Sequence, residues 1–173
     1  MIRGFALRLK VAAVVLGVAA LVGAVAFIAS DGFTMTYGYF DYRAIDGNTA
    51  IKVRNFSGPG GSVQIPSHMP FGPNFLPVTR IEAGAFSAYG NRRASEDEPR
   101  GVLDAVTIPD TVTRIGESAF RSNRLAYVAI PDSVTYIGNN AFRNNPLTYV
   151  SVPSHATVAE NAFDSGVTVT RRD

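Results

Sequence analysis

The chain has 173 residues, no cysteine and a formal net charge of +2, and its length accommodates one domain plus an appendage. Arg3, Arg8 and Lys10 contribute +3 in a segment free of acidic residues, so the other residues carry about −1 (+2 minus +3) and offer nucleic acid no basic face. Without cysteine the chain has no disulfide, lipoprotein anchor, thiol nucleophile or thiolate metal site.

Residues 1–30 are predicted to be a signal peptide or a transmembrane anchor. After a basic stretch come Val11 to Ala29, 19 consecutive residues without charge, which as a helix would span roughly 28 Å, close to the thickness of the bilayer hydrocarbon core. That length favours an anchor that stays in the membrane, whereas the small residues at Ala24 and Ala26 suit cleavage after Ala26. In both cases the positive-inside rule places the rest of the chain outside the cytoplasm, on a single-pass membrane protein or a secreted one.

Residues 31–60 are predicted to be a linker and an N-terminal capping β-hairpin. Two runs of alternating apolar residues, Phe40 to Ile45 and Thr49 to Asn55, flank Asp46-Gly47-Asn48. Asp-Gly between such runs is a strong hairpin signal. We expect this hairpin to cover the first of the repeats that follow.

Residues 61–173 are predicted to form a repeat solenoid of about four coils. Unit 2, from Leu103 to Asn123, recurs as unit 3, from Leu125 to Asn145, and decayed copies extend from Ser62 to Phe86 (unit 1) and from Leu147 to Phe163 (unit 4). Three apolar positions recur at a spacing of 22 residues: Ile108 and Ile130, Ile115 and Ile137, Phe120 and Phe142. A period of 20–29 residues with Leu-x-x-Val-x-Ile at the start of each unit is typical of a mainly β, leucine-rich-repeat solenoid.

The first segment of unit 3 shows how a unit is expected to fold. Leu125, Val128 and Ile130 are predicted to point inward from a strand, with Tyr127 between them pointing outward. Pro131 cannot continue a hydrogen-bonded ladder and ends the strand. Further on, Gly138 is expected to supply conformational freedom for a corner, and Asn145 to adopt left-handed backbone in the return turn.

The motifs IPDSVTYIGNNAF and AFRSNRLAYVAIPDSVT resemble the BspA-type leucine-rich repeats of bacterial surface proteins, over roughly residues 62–163. The resemblance implies the solenoid architecture and a role in adhesion or host binding. Many members carry Cys where this chain has Asn123 and Asn145. The chain is expected to lack the Asn/Cys ladder position of the ordinary leucine-rich consensus, so we do not expect a receptor-type horseshoe.

Two insertions interrupt the period. His68 to Pro77 is rich in proline and aromatic residues, and either Phe71, Phe75 and Leu76 fold back over the solenoid edge or the loop contacts a ligand. Ser87 to Arg100 is charged, and it is either a solvated loop or a binding loop. The candidate binding residues of this second loop are Arg92, Arg93, Glu96, Asp97 and Glu98.

No catalytic, cofactor-binding or metal-binding site is predicted. His68 and His155 lie in corresponding loops of distant units, and neither has a metal-ligand partner at a suitable spacing. The adjacent Ser67 and His68 are not a catalytic pair, since nucleophile and base meet through the fold together with an orienting acid. We therefore expect a protein that is not an enzyme.

The outward positions of the repeats supply the candidate partner-binding residues, which are Tyr127, Tyr149, Thr107, Ser151, Arg114 and Tyr136. Tyr127 and Tyr149 are expected one above the other at the strand spacing of about 4.8 Å, and Tyr and Arg are enriched at binding hot spots. A repeat also multiplies any surface residue into a row, so a row alone does not require a ligand.

The predicted function is a monomeric, adhesion-type module that binds an extracytoplasmic protein or glycan. The alternative is a structural protein of the cell envelope that packs against envelope components or associates with itself. A long, exposed edge strand at Val167 to Val169 would favour the alternative, because unpaired edges pair with other chains.

Overall fold

The computed structural model describes residues 24–29, 32–88 and 101–173, with side chains from residue 35 onward. Every helix or strand in these ranges is a β-strand, which confirms the mainly β prediction. Within the same ranges there is no helix long and apolar enough to cross a membrane. The apolar helix expected over Val11 to Ala29 is not confirmed: residues 11–23 lie outside the described ranges, and Ala24–Ala29 form a strand.

The thirteen strands of the described ranges are short. They are β1 Ala24–Ala29, β2 Gly32–Tyr37, β3 Phe40–Ile45, β4 Ala50–Phe56, β5 Gly61–Gln64, β6 His68–Phe71, β7 Asn74–Ile81, β8 Leu103–Thr107, β9 Arg114–Ile115, β10 Tyr136–Ile137, β11 Tyr149–Pro153, β12 Thr157–Val158 and β13 Thr168–Arg172.

The principal sheet joins the N-terminal strands to the repeats in the order β1-β2-β3-β4-β7-β9-β10-β12, with β6 paired to β7. The first four strands are antiparallel neighbours, whereas β4, β7, β9, β10 and β12 run parallel to one another. The β3–β4 hairpin turns at Asp46, Gly47 and Asn48, all with positive φ, which these residue types tolerate well. Its second strand continues into the repeat sheet, with Val53 opposite Ile81.

A stack of phenylalanine rings forms the centre of the core. The rings are Phe56, Phe86, Phe120, Phe142 and Phe163, with successive centroids 5.4, 5.0, 5.1 and 5.3 Å apart. The last four belong to the Ala-Phe pair of each unit, and all five are buried. The ring of Phe56 comes from β4, so the hairpin supplies the first member of the stack.

Two glycines of the repeat are required by close approach of neighbouring units. A Cβ on Gly116 would lie 2.7 Å from the backbone nitrogen of Ala83, and one on Gly138 would lie 2.8 Å from that of Glu117. Neither glycine has a positive φ, and the left-handed backbone occurs two residues further on, at Asn140 (φ 55°). The expectation that Gly138 supplies freedom for a corner is therefore wrong, because its role is to admit the preceding backbone.

Two buried asparagines hold consecutive units together. The Asn123 side-chain oxygen accepts from the Leu103 N–H at 2.9 Å, and its amide donates to the carbonyls of Phe86 and Phe120 at 2.8 and 3.0 Å. Asn145 repeats this arrangement one unit later. Each amide thus satisfies backbone groups that would otherwise be buried without a partner.

This asparagine ladder corrects two expectations. The chain does possess the ladder position that its sequence pattern was expected to lack. The left-handed backbone of the return turn lies at Ser122 and Asn144, with φ of 62° and 60°, one residue before each buried asparagine. Asn145 is needed for its side-chain amide rather than for its tolerance of unusual backbone.

The first insertion folds as the antiparallel hairpin β6–β7. It is anchored by the fully buried Met69 and by the Tyr42 hydroxyl, which donates to the Pro70 carbonyl at 2.7 Å. Of the residues expected to cover the edge, Leu76 packs against the core, whereas Phe75 is 66% exposed. Burial, with a smaller contribution from Tyr37, raises the pKa of Tyr42 to about 12.

Candidate functional site

The surface formed by the first segment of each unit, here called the front face, comprises β5, β8, residues 125–130, β11 and β13. Its strands pair in parallel as β5–β8 and as β11–β13, but residues 125–130 between them are not a strand. The predicted orientation of unit 3 is nevertheless correct, because Leu125, Val128 and Ile130 are buried and Tyr127 is exposed. The prediction that this segment is a strand is wrong.

Pro146 accounts for part of the break in backbone pairing between units 3 and 4. At the start of unit 3, the N–H of Arg124 donates to the carbonyl of Leu103 at 2.8 Å and ties that unit to the one before it. The corresponding residue at the start of unit 4 is Pro146, which has no N–H to donate to unit 3. The ladder between units 3 and 4 therefore lacks its first hydrogen bond.

A pocket of about 270 Å³ opens on the front face where the ladder is interrupted. Its lining residues are Tyr127, Val128, Ala129, Ile130, Tyr149, Ser151 and Arg172. Three of the predicted partner-binding residues, Tyr127, Tyr149 and Ser151, are thus brought to one place. Tyr127 is 69% exposed and Tyr149 48% exposed, so both rings are available to a ligand.

The two tyrosines are held differently. The Tyr149 hydroxyl forms a 2.7 Å hydrogen bond with the Thr170 hydroxyl on β13, and either atom can be the donor. Tyr127 makes no side-chain hydrogen bond within the part of the chain that the structure describes. The two rings share a pocket, but the strand pairing that would have stacked them at about 4.8 Å is absent, since Tyr127 is not on a strand.

Arg172 spans units 3 and 4 at the edge of this pocket. Its guanidinium donates to the Ser151 carbonyl at 2.8 Å and to the Ile130 carbonyl, and it forms an ion pair with Asp132 at 2.6 Å. It therefore joins two units at the place where their backbones do not pair. No repeat position points to Arg172, because it lies beyond unit 4. Only the parallel register of β13 on β11 brings it here.

The remaining predicted residues lie elsewhere. Thr107 is exposed on β8 of the front face but does not line the pocket. Arg114 and Tyr136 are neighbours on the principal sheet, where the guanidinium carbon lies 3.7 Å from the ring centroid, a cation–π contact. The candidate loop with Arg92, Arg93, Glu96, Asp97 and Glu98 lies outside the described residues.

The two histidines are both exposed. The Nδ1 atom of His68 lies 3.2 Å from the Ser67 hydroxyl, a contact between adjacent residues that supplies no third, orienting group. Across residues 24–29, 32–88 and 101–173, no group of three or more His, Asp or Glu residues could hold a metal ion. The pocket lined by Tyr127 and Tyr149, called the tyrosine pocket from here on, has the most features of a binding surface.

Comparison with known families assigns the repeats. Residues 101–170 match the model of the BspA type leucine rich repeat region, in six copies. This stretch is a BspA-type leucine-rich-repeat region. The resemblance carried by the Ile-Pro-Asp-Ser-Val-Thr and Ala-Phe motifs is thereby confirmed. A comparison with curated proteins finds no match.

Solved structures of bacterial leucine-rich-repeat proteins share the fold. A leucine-rich repeat protein from Bacteroides capillosus has a TM-score of 0.63 at 18% identity, covering 81% of this chain and 99% of that one. A leucine rich cell surface protein from Faecalibacterium prausnitzii (TM-score 0.58, 24% identity) and the pneumococcal vaccine antigen PcpA (0.61, 18%) are aligned over 79% and 80% of this chain. The present chain covers only 42% and 38% of those two proteins.

Proposed function

We propose that this BspA-type repeat protein is a non-catalytic, extracytoplasmic binding module whose partner, a protein or a glycan, contacts the tyrosine pocket. Leucine-rich repeats are in general binding modules without catalytic activity. The single observation that carries the proposal is that Tyr127 and Tyr149, exposed residues of two different units, line one pocket together with Ser151. Tyrosine gives a large contact area at a small cost in conformational entropy.

The extracytoplasmic location is proposed from residues 1–30. Their basic start and uncharged run suit either a retained single-pass anchor or a signal peptide cleaved after Ala26. Ala26 pairs with Met35 in the middle of β1, so cleavage there would remove half of that strand. Intact mass measurement of the protein from its native membrane or medium separates the two forms, since the cleaved form lacks residues 1–26.

The proposed domain arrangement has residues 31–60 as linker and cap and residues 61–173 as a continuous coil of about four turns. The parallel pairing of β7, β9, β10 and β12 supports the coil, as does the even spacing of the phenylalanine rings. In such arrays each unit contacts only the units next to it, and the stability of the array is the sum of the units and of the interfaces between them.

The binding site is tested with the full-length protein in detergent micelles, applied to arrays of glycans and of extracellular proteins. For a ligand found there, Tyr127→Ala with Tyr149→Ala is expected to weaken binding at least about tenfold, or roughly 1.4 kcal/mol. Tyr39→Ala is the matched control, because Tyr39 is 55% exposed but does not line the pocket. If the double tyrosine variant binds the ligand normally and the double variant Arg92→Ala with Arg93→Ala does not bind it, the binding site lies in the Ser87 to Arg100 insertion instead.

Self-association in the cell envelope is the second candidate, and β13 favours it. Among the described residues this strand pairs with β11 alone, and Val169 is 40% exposed. An open edge of this kind can recruit a strand from another molecule. Sedimentation of the detergent-solubilised protein over a range of concentrations tests this function. A concentration-dependent dimer that becomes monomeric in the Val169→Lys variant would support it, and a monomer at every concentration would contradict it.

A further inference from the structure

We infer that the tyrosine pocket binds one uncharged pyranose ring of a glycan, with Tyr127 and Tyr149 contacting the ring. The inference rests on the proposed binding function and specifies its ligand class. Four properties of the pocket lead to it, namely its volume, its charge, its mixture of aromatic and hydroxyl groups, and the position of its backbone between two other units.

The volume of the pocket suits a single small ring. Pockets for drug-sized ligands measure about 300–1,000 Å³, and this one measures about 270 Å³. One sugar ring fits such a space, and the remainder of an oligosaccharide would continue into solvent along the front face. Thr107, exposed on β8 of the same face, would lie along that path.

The charge of the pocket favours an uncharged ligand. Arg172 is its charged lining residue, and a guanidinium has five N–H donors. These donors are engaged by the Ser151 carbonyl and hydroxyl, the Ile130 carbonyl and the Asp132 carboxylate. Asp132 also neutralises the charge. A carboxylate or phosphate group would find no uncommitted donor on Arg172, so an acidic sugar gains nothing over a neutral one.

The chemistry of the lining matches the two sides of a pyranose. Its C–H face is weakly positive and packs on the negative face of an aromatic ring, which exposed Tyr127 and Tyr149 provide. Its hydroxyls both donate and accept hydrogen bonds. The pocket offers them the Ser151 hydroxyl and the backbone of residues 127–129, whose N–H and C=O groups make no hydrogen bond within the described ranges.

The same backbone cannot take up a peptide as an added strand. Such a strand lies about 4.8 Å to the side of its partner. On both sides of unit 3 that space holds another unit, since the Phe142 ring stacks on Phe120 at 5.1 Å and on Phe163 at 5.3 Å. A ligand must therefore approach the segment from the front, so a peptide cannot pair with it as an added strand.

The test titrates the full-length protein in non-glycosidic detergent with methyl pyranosides, observed by saturation-transfer NMR. The neutral probes are the methyl glycosides of glucose, galactose, mannose and N-acetylglucosamine, and the acidic probes are glucuronic and sialic acid. We expect at least one neutral probe to bind and both acidic ones to bind at least tenfold more weakly. Tyr127→Ala and Tyr149→Ala should each reduce the neutral signal at least tenfold, while Tyr127→Trp and Tyr39→Ala preserve it.

The outcomes separate the ligand class from the site. Suppose that no neutral probe or neutral glycan binds, but that a protein from the array binds and the double tyrosine variant fails to bind it. The glycan inference is then wrong, and the tyrosine pocket remains the proposed binding site. If acidic probes bind as well as neutral ones, the donors of Arg172 are not all committed and the preference for an uncharged ring is wrong. If a glycan binds equally to the double tyrosine variant, the pocket is not its site and the proposed function fails with it. Urea midpoints matching the parent protein ensure that each variant is folded.

Discussion

Replacing Asn145 by alanine is expected to destabilise the protein by about 3 kcal/mol. The substitution removes the acceptor of the Leu125 N–H and the donor to the Phe142 carbonyl, two buried groups with no other partner in the described ranges. The Phe120 carbonyl keeps its bond from Asn123. Leaving a buried group unpaired costs about 1–3 kcal/mol, so two such groups give roughly 2–6 kcal/mol, and relaxation of the turn favours the lower half of that range.

The assay is urea unfolding of the full-length protein in detergent, followed by near-ultraviolet circular dichroism and analysed by linear extrapolation. Asn139→Ala is the matched control, because Asn139 is an exposed asparagine in the same unit and surface changes usually stay within about 0.5 kcal/mol. If Asn145→Ala lowers the free energy of unfolding no more than the control does, the amide does not carry the backbone contacts assigned to it.

Three further changes probe the core by the same assay. Phe142→Ala is expected to lower the free energy of unfolding by about 3–5 kcal/mol, as truncations of buried aromatic residues do. An unchanged urea midpoint would show that the ring is not part of the stack. Gly138→Ala should cost about 1–3 kcal/mol, since its Cβ would lie 2.8 Å from the Glu117 nitrogen; an equally stable variant would contradict the close approach. Because the pKa of Tyr42 is raised from 10.0 to about 12 in the folded protein, the unfolded chain loses this proton first, so stability should fall between pH 10 and 12 by about 1.36 kcal/mol per unit of pKa difference. Tyr42→Phe should remove that part of the pH dependence, and an identical alkaline profile would refute it.

The repeat architecture is readable from the sequence because its signals are periodic and local. The 22-residue spacing identifies Phe120 and Phe142 as members of one stack, and Pro131 marks the end of a front-face segment. The Asp46-Gly47-Asn48 turn needs no distant contact to form a hairpin, since these residue types tolerate positive φ wherever they occur.

Contacts between units could not be read in this way. That Asn123 and Asn145 cross-link consecutive units, and that Gly138 admits a neighbouring backbone, depends on atoms 20 or more residues away. The same holds for Phe56, which lies in the hairpin and outside the repeat pattern, yet continues the ring stack because β4 pairs with β7.

The sequence by itself placed Tyr127 and Tyr149 at the same outward position of successive units, and it placed Ser151 beside them. Whether those positions form a flat ladder or a pocket was decided by the tertiary structure. Pro146 removes one hydrogen bond between the units, and Arg172 reaches across both of them from a strand beyond the last repeat. A repeat pattern specifies what each unit shares with its neighbours, whereas a binding pocket arises where one unit departs from them, and the shape of that departure depends on side chains brought together from distant parts of the chain.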